Sequence, residues 1–245
     1  MLSLCVLVRV CPRSDIKACK SNFRKVNCYW RSEWAVILLL AARCALAQGP
    51  VKPGADASPQ LGYSRIFRGS TPEYLKITVN RAGDGHYVGG KLGALPPPRA
   101  FRLTPSTTNE FFSLAGSLHD FRSIKLESRR NVANMGEKTL TYANQGRIWT
   151  VKYNYTRNRE AEKLSNLFEG IATVEEHISA LLYKARFDPL GLPGELARVR
   201  IDLDNHNLTD PALMAPVLKQ IESDPQYLHI AQIRARKLLA RIESN

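Results

Sequence analysis

The stretch Asn131–Tyr155, Asn-Val-Ala-Asn-Met-Gly-Glu-Lys-Thr-Leu-Thr-Tyr-Ala-Asn-Gln-Gly-Arg-Ile-Trp-Thr-Val-Lys-Tyr-Asn-Tyr, decides the fold. Two β-rich runs, Lys138–Tyr142 and Arg147–Tyr155, flank Ala143-Asn144-Gln145-Gly146, whose composition suits a tight hairpin turn. Successive side chains of a strand point to opposite faces. Trp149, Val151, Tyr153 and Tyr155 therefore share one face, and Thr150, Lys152 and Asn154 share the other. In the first run Leu140 and Tyr142 oppose Thr139 and Thr141. A hairpin with one apolar and one hydroxyl-rich face requires a helical layer on the apolar side only.

Working outward, Tyr74–Asn80 alternates Leu75, Ile77 and Val79 against Lys76, Thr78 and Asn80, and reads as a strand. Arg81–Gly85 is a turn and His86–Leu92 the returning strand, followed by a stiff connector, Gly93–Arg99, with three consecutive prolines. Thr104-Pro105 opens a helix that buries Phe111, Phe112, Ala115 and Leu118. Asn158 caps a second, with Leu164, Leu167, Phe168, Ile171, Val174, Ile178, Leu181 and Leu182 at helical spacing as far as Tyr183.

The expected architecture is α+β: a four-stranded antiparallel sheet, β-β-α-β-β-α, with both helices on one face. Phe187–Gly194 ends the second helix. Beyond it Ala197–Asp204 reads as a short strand, and two helices start at Asp210-Pro211, with a kink or restart at Pro216, and at Asp224-Pro225. The last should bury Leu228, Ala231, Ala235, Leu238, Leu239 and Ile242. The expected divisions are a leader and signal peptide over 1–47, a linker over 48–60, the α+β domain over 61–194 and a helical appendage over 195–245.

Charge and cysteine usage narrow the function classes. Gln48–Asn245 holds 27 basic and 20 acidic residues without a Lys/Arg block, a pattern that weighs against nucleic acid. All five cysteines precede residue 48, so the rest has neither a disulfide framework nor a thiolate metal site. Trp34–Ala47 carries a short apolar run after Arg31 and ends on the small-x-small site Ala45-Leu46-Ala47, as a secretory signal does. It is too short for a membrane span. Met1–Lys25 is foreign to such a signal, which points to a start at Val26 through a non-Met codon. Gly49–Pro59 has the composition of a linker.

The chemical motifs are incomplete. Gly85-His86-Tyr87-Val88-Gly89-Gly90-Lys91-Leu92 matches the glycine–lysine part of a phosphate loop, but Leu92 replaces the Mg²⁺-binding hydroxyl and proline follows instead of a helix. Asp202–Asn207 opens like a calcium loop yet lacks its sixth-position glycine, and Leu213 stands at the twelfth position. The histidines His86, His119, His177, His206 and His229 show no metal spacing. His119-Asp120 could be an acid–base pair or a helix end, and Glu175-Glu176 reads as a solvated helix edge. No cofactor motif and no catalytic set emerge. The surface that stands out holds Lys76, Thr78, Thr139, Thr141, Thr150, Lys152 and Asn154: the wet side of a sheet, or a platform for an envelope protein, a glycan or an anionic polymer.

Three segments, Phe67–Tyr74 (Phe-Arg-Gly-Ser-Thr-Pro-Glu-Tyr), Asn134–Leu140 (Asn-Met-Gly-Glu-Lys-Thr-Leu) and Phe187–Leu192 (Phe-Asp-Pro-Leu-Gly-Leu), resemble an uncharacterised family of exported bacterial proteins. The resemblance covers about Tyr63–Leu192 and, more loosely, the C-terminal helices. It implies a small α+β domain behind a signal peptide, and it carries no activity and no site residues. Two function classes follow: a non-enzymatic binding module of the envelope, and an exported hydrolase-like enzyme whose polar groups converge only in the fold.

Export has a direct test. Cleavage after Ala47 gives a mature N-terminus at Gln48, and N-terminal sequencing of the native protein should begin there. An intact leader on cytosolic protein would exclude export.

Overall fold

Strand β1 (Gln60–Ile66) lies at the centre of the sheet, and nothing in the hydrophobic pattern marks it as strongly as its neighbours. The structure, a computed structural model, describes residues 58–128 and 130–244. The expected leader, signal site and nearly all of the linker lie outside them. β1 pairs antiparallel with β2 (Tyr74–Asn80) on one side and β5 (Glu137–Asn144) on the other. β2 returns as β3 (Asp84–Gly90), which pairs with β4 (Arg99–Arg102), and β5 returns as β6 (Arg147–Tyr153). The order is β4-β3-β2-β1-β5-β6, so the expected four-stranded sheet has six strands.

Both extra strands hide behind a charged residue on the buried face. In β1, Leu61 and Tyr63 point to the core and so does Arg65, whose guanidinium meets Glu169 at 2.8 Å. In β4, inside the expected proline connector and its exit, Arg99 faces Tyr87 across the ladder. The hairpin turn has the expected chemistry: Gln145 and Gly146 take φ of +48° and +75°, as a two-residue turn matched to strand twist requires.

The helices follow the periodicity. Helix α1 (Pro105–Ser117) is capped by Thr104, which accepts from the Thr107 amide, and buries Phe111, Phe112 and Ala115. Helix α2 (Arg159–Phe187) is capped by Asn158, which accepts from the Ala161 amide, and runs four residues beyond the expected Tyr183. Its first half packs Leu164, Phe168 and Ile171 on the sheet. Its second half turns Val174 and Leu181 into a separate core shared with three more helices, while Leu182, expected inside, is exposed.

Those helices are α3 (Leu192–Asp204), α4 (Ala215–Ser223, after a 3-10 turn over Pro211–Met214) and α5 (His229–Glu243). The expected strand Ala197–Asp204 is therefore helical. Its alternating Val199, Ile201 and Leu203 mimic a strand, but Leu196, Val199 and Leu203 are buried at helical spacing and Ile201 is half exposed. α5 starts later than Pro225 because the Asp224 side chain accepts from the Gln226 amide and holds a turn there. Leu228 is consequently exposed.

The C-terminal helices pack on the far half of α2. Buried Asp210 accepts from the Thr104 amide at 2.6 Å, at the start of α1. Between α2 and α3, buried His177 sits with Nδ1 2.9 Å from Glu195 Oε1 and Nε2 3.1 Å from Asp202 Oδ2.

Two substitutions test these joints. Phe168→Ala should destabilise by about 3–5 kcal/mol in denaturant melts, because the ring is fully enclosed. His177→Leu should cost roughly 3–5 kcal/mol, because it strands the buried Glu195 carboxylate with only Arg198 at 3.5 Å.

Candidate functional site

The side chains of the sheet that face away from the helices form an open face that no described element covers. Register aligns them in rows. One row runs Val88, Lys76, Ser64, Thr139, Lys152, and the next His86, Thr78, Gly62, Thr141, Thr150. Six of the seven residues expected to share a surface thus lie side by side. Asn154 is the exception. It follows β6, and its side chain accepts from the Met135 amide and donates to the Ala133 carbonyl, clamping the loop before β5.

This face is less basic than its sequence suggests. Lys152 is bridged to Glu137 at 2.9 Å and Arg102 to Asp84 at 3.2 Å, which leaves Lys76 as the cation without an ion pair among its described residues. Hydroxyls from Ser64, Thr78, Thr139, Thr141 and Thr150 supply most of its polarity.

The candidate acid–base groups do not converge. His119 and Asp120 lie in a left-handed turn against β5 and β6, where Asp120 engages Arg122 at 3.4 Å, and Arg122 covers the Trp149 ring. His86 is on β3, four strands from β6. The oxygens of the calcium-like loop are taken up internally: Asp202 by His177 and Asn207, Asp204 by Arg241. Among the described residues no group of three or more His, Asp or Glu is placed to hold a metal ion. The glycine–lysine run is β3 and its exit, with Lys91 bridged to Ala94 in a turn.

The helix side of β3 holds what the sequence reading missed. A cleft of about 830 Å³ opens between the end of β3, the loop before β2, the proline loop and α2. Its anchor is Arg99: Nη2 donates to Glu175 Oε2 at 2.9 Å and to the Glu175 carbonyl at 2.6 Å, Nη1 donates to Ser179, and the guanidinium covers the Tyr87 ring. Glu175 is buried, not a solvated edge. Burial pushes its carboxyl above the ordinary range, and the Arg99 charge draws it back only in part. Tyr87 is likewise pushed up, by burial and then by the Glu176 charge. A hint of Arg99 was present in its alternation with Phe101, but four residues after a proline run carry little period.

The loop before β2 supplies one wall, and the turn after α2 braces another. Gly69–Glu73 line the cleft, and Asp188 grips Lys184, another lining residue, at 3.2 Å. No family model matches the chain, and a search of curated proteins finds no similar sequence. Among the described residues no helix is long and apolar enough to cross a membrane.

The Glu175 environment has a pH consequence. Its native carboxyl holds a proton at higher pH than the unfolded one does, so its contribution to stability is complete at acid pH and is lost as pH rises through the native value. Glu175→Gln should therefore flatten the decline of stability as pH rises from the ordinary carboxylate range toward neutrality. An unchanged slope in urea melts across that range would show that the carboxyl stays ionised.

Proposed function

We propose that the protein is an exported, non-enzymatic binding module of the cell envelope, and that it docks an extended, largely neutral glycan on the open face of its sheet. The observation that carries this reading is the aligned row Lys76, Ser64, Thr139 and Lys152, which sets a hydroxyl or lysine on four neighbouring strands. Thr78, Thr141 and Thr150 lie beside it. Strands lie about 4.8 Å apart, close to the length of one pyranose in an extended chain, so successive sugars can meet successive strands. Hydroxyls that both donate and accept suit sugar hydroxyls.

Charge decides between polymers. With Lys152 and Arg102 neutralised by Glu137 and Asp84, the face lacks the cation density that an anionic polymer or nucleic acid selects. The signal-like run before Gln48 and the resemblance to exported proteins support the location. The enzymatic alternative needs convergent acid–base groups, and the separation of His86 from His119 and Asp120 favours the binder.

The reading is testable by co-sedimentation with an insoluble cell-wall glycan. The chain should pellet with it, and Thr139→Glu combined with Thr141→Arg should weaken binding about tenfold, or ~1.4 kcal/mol, without changing circular dichroism. Equal pelleting of parent and variant would exclude this face.

A further inference from the structure

The cleft on the helix side has charged and hydroxyl groups without a partner among the described residues, including Tyr87, Lys91 and Glu176. Most of its lining polar atoms are occupied: Arg99 by Glu175 and Ser179, Lys184 by Asp188 at 3.2 Å, and Glu73 by the Leu92 amide at 3.1 Å and the Gly69 amide at 3.5 Å. Tyr87 differs. Its residue is 5% exposed, yet its hydroxyl meets no hydrogen-bond partner among the described residues. The hydroxyl oxygen itself is open to the cleft, and a donor there without a protein partner is a position for a ligand atom. Lys91, at the mouth, has no ion pair among the described residues.

Tyr87 and Lys91 converge along one strand. Tyr87, Gly89 and Lys91 follow each other at every second residue and point to the same side of the sheet. A Cβ on Gly89 would collide with the Tyr87 hydroxyl, so that hydroxyl leans over Gly89 toward Lys91. Glycine at 89 is what admits it. The remaining walls are apolar: the Tyr87 ring, Pro96, Pro97, Ala180 and Tyr183. Exposed Leu95 and Phe187, the latter 5.2 Å from the Tyr183 ring, carry the apolar surface beyond the mouth.

We propose that this cleft binds a small molecule with an apolar body and one carboxylate, the carboxylate accepting from the Tyr87 hydroxyl and pairing with the Lys91 ammonium. Two donors with no acceptor of their own select an anionic oxygen, and the volume is that of a small-molecule site. Glu176, on the same wall, is the acceptor that would instead favour an ammonium ligand. Against it stand two donors, the Tyr87 hydroxyl and the Lys91 ammonium, which together favour the anion. The site lies on the opposite side of the sheet from the open face and stands independently of the glycan reading.

Isothermal titration calorimetry of the full chain with decanoate, decanol and decyltrimethylammonium decides the matter. Decanoate should bind, with the other two at least tenfold weaker. Tyr87→Phe keeps the ring and Lys91→Ala changes an exposed residue, so both variants should melt as the parent does. Each should weaken decanoate by about 10- to 100-fold, the worth of a hydrogen bond to a charged group, and leave decanol unchanged. Absence of decanoate binding, equal binding of all three probes, stronger binding of the ammonium, or decanoate affinity unmoved in either variant would overturn the proposal.

Discussion

The ring of Phe168 is the joint on which the fold depends. It stacks on Tyr63 of the central strand at 5.2 Å with the planes 10° apart, and meets Phe111 of α1 edge-on at 4.6 Å. Offset stacking and edge-to-face contact are the arrangements that the ring quadrupole favours. One residue on, Glu169 accepts from the Tyr63 hydroxyl at 2.5 Å and pairs with Arg65, so the helix is held to β1 in register as well as in depth. Because both hairpins pair to β1, fixing α2 on that strand fixes the whole sheet against its helices.

Length then does the rest. A helix of 29 residues spans about 44 Å, more than a strand of seven residues at roughly 23 Å. α2 must overshoot the sheet, and its overhanging half needs a second apolar environment. Val174 and Leu181 find it among α3, α4 and α5. The C-terminal helices are thus the cover for the far half of a helix that the sheet cannot bury alone. Asp210 and His177 add polar ties at the seam, and both are buried with their hydrogen bonds made.

What was legible in the sequence follows from where charge sits. Strand β2 and the middles of β5 and β6 alternate cleanly on their buried faces. The caps of α1 and α2 and most of their stripes survive, Leu182 excepted. β1 and β4 did not read as strands because Arg65 and Arg99 occupy inward positions, and only partners more than 70 residues away, Glu169 and Glu175, make that tolerable. The same non-locality conceals the cleft. Tyr87, Lys91, Arg99 and Tyr183 become neighbours through a sheet edge and a helix end, and no short spacing encodes that meeting. The open face was legible because it is a property of alternation alone. Asn154 fell outside it since β6 ends at Tyr153 and the chain turns to hold a loop.

The two cores and the cleft are mechanically one system. Ser179, Ala180, Tyr183 and Lys184 wall the cleft from the overhanging half of α2, and Leu181, on the opposite side of that same turn, is fully buried in the second core. The angle of this helical segment to β3 is therefore set by packing that never touches the cleft. Arg99 is the strut between them, since it is anchored in β4 and clasps both Glu175 and Ser179. Loosening the C-terminal helices would free the far half of α2 to swing about the Phe168 joint, and Arg99 would then lose one of its partners while the cleft lost a wall. The C-terminal helices contribute no residue to the lining of the cleft, and they bear on its shape through one shared helix.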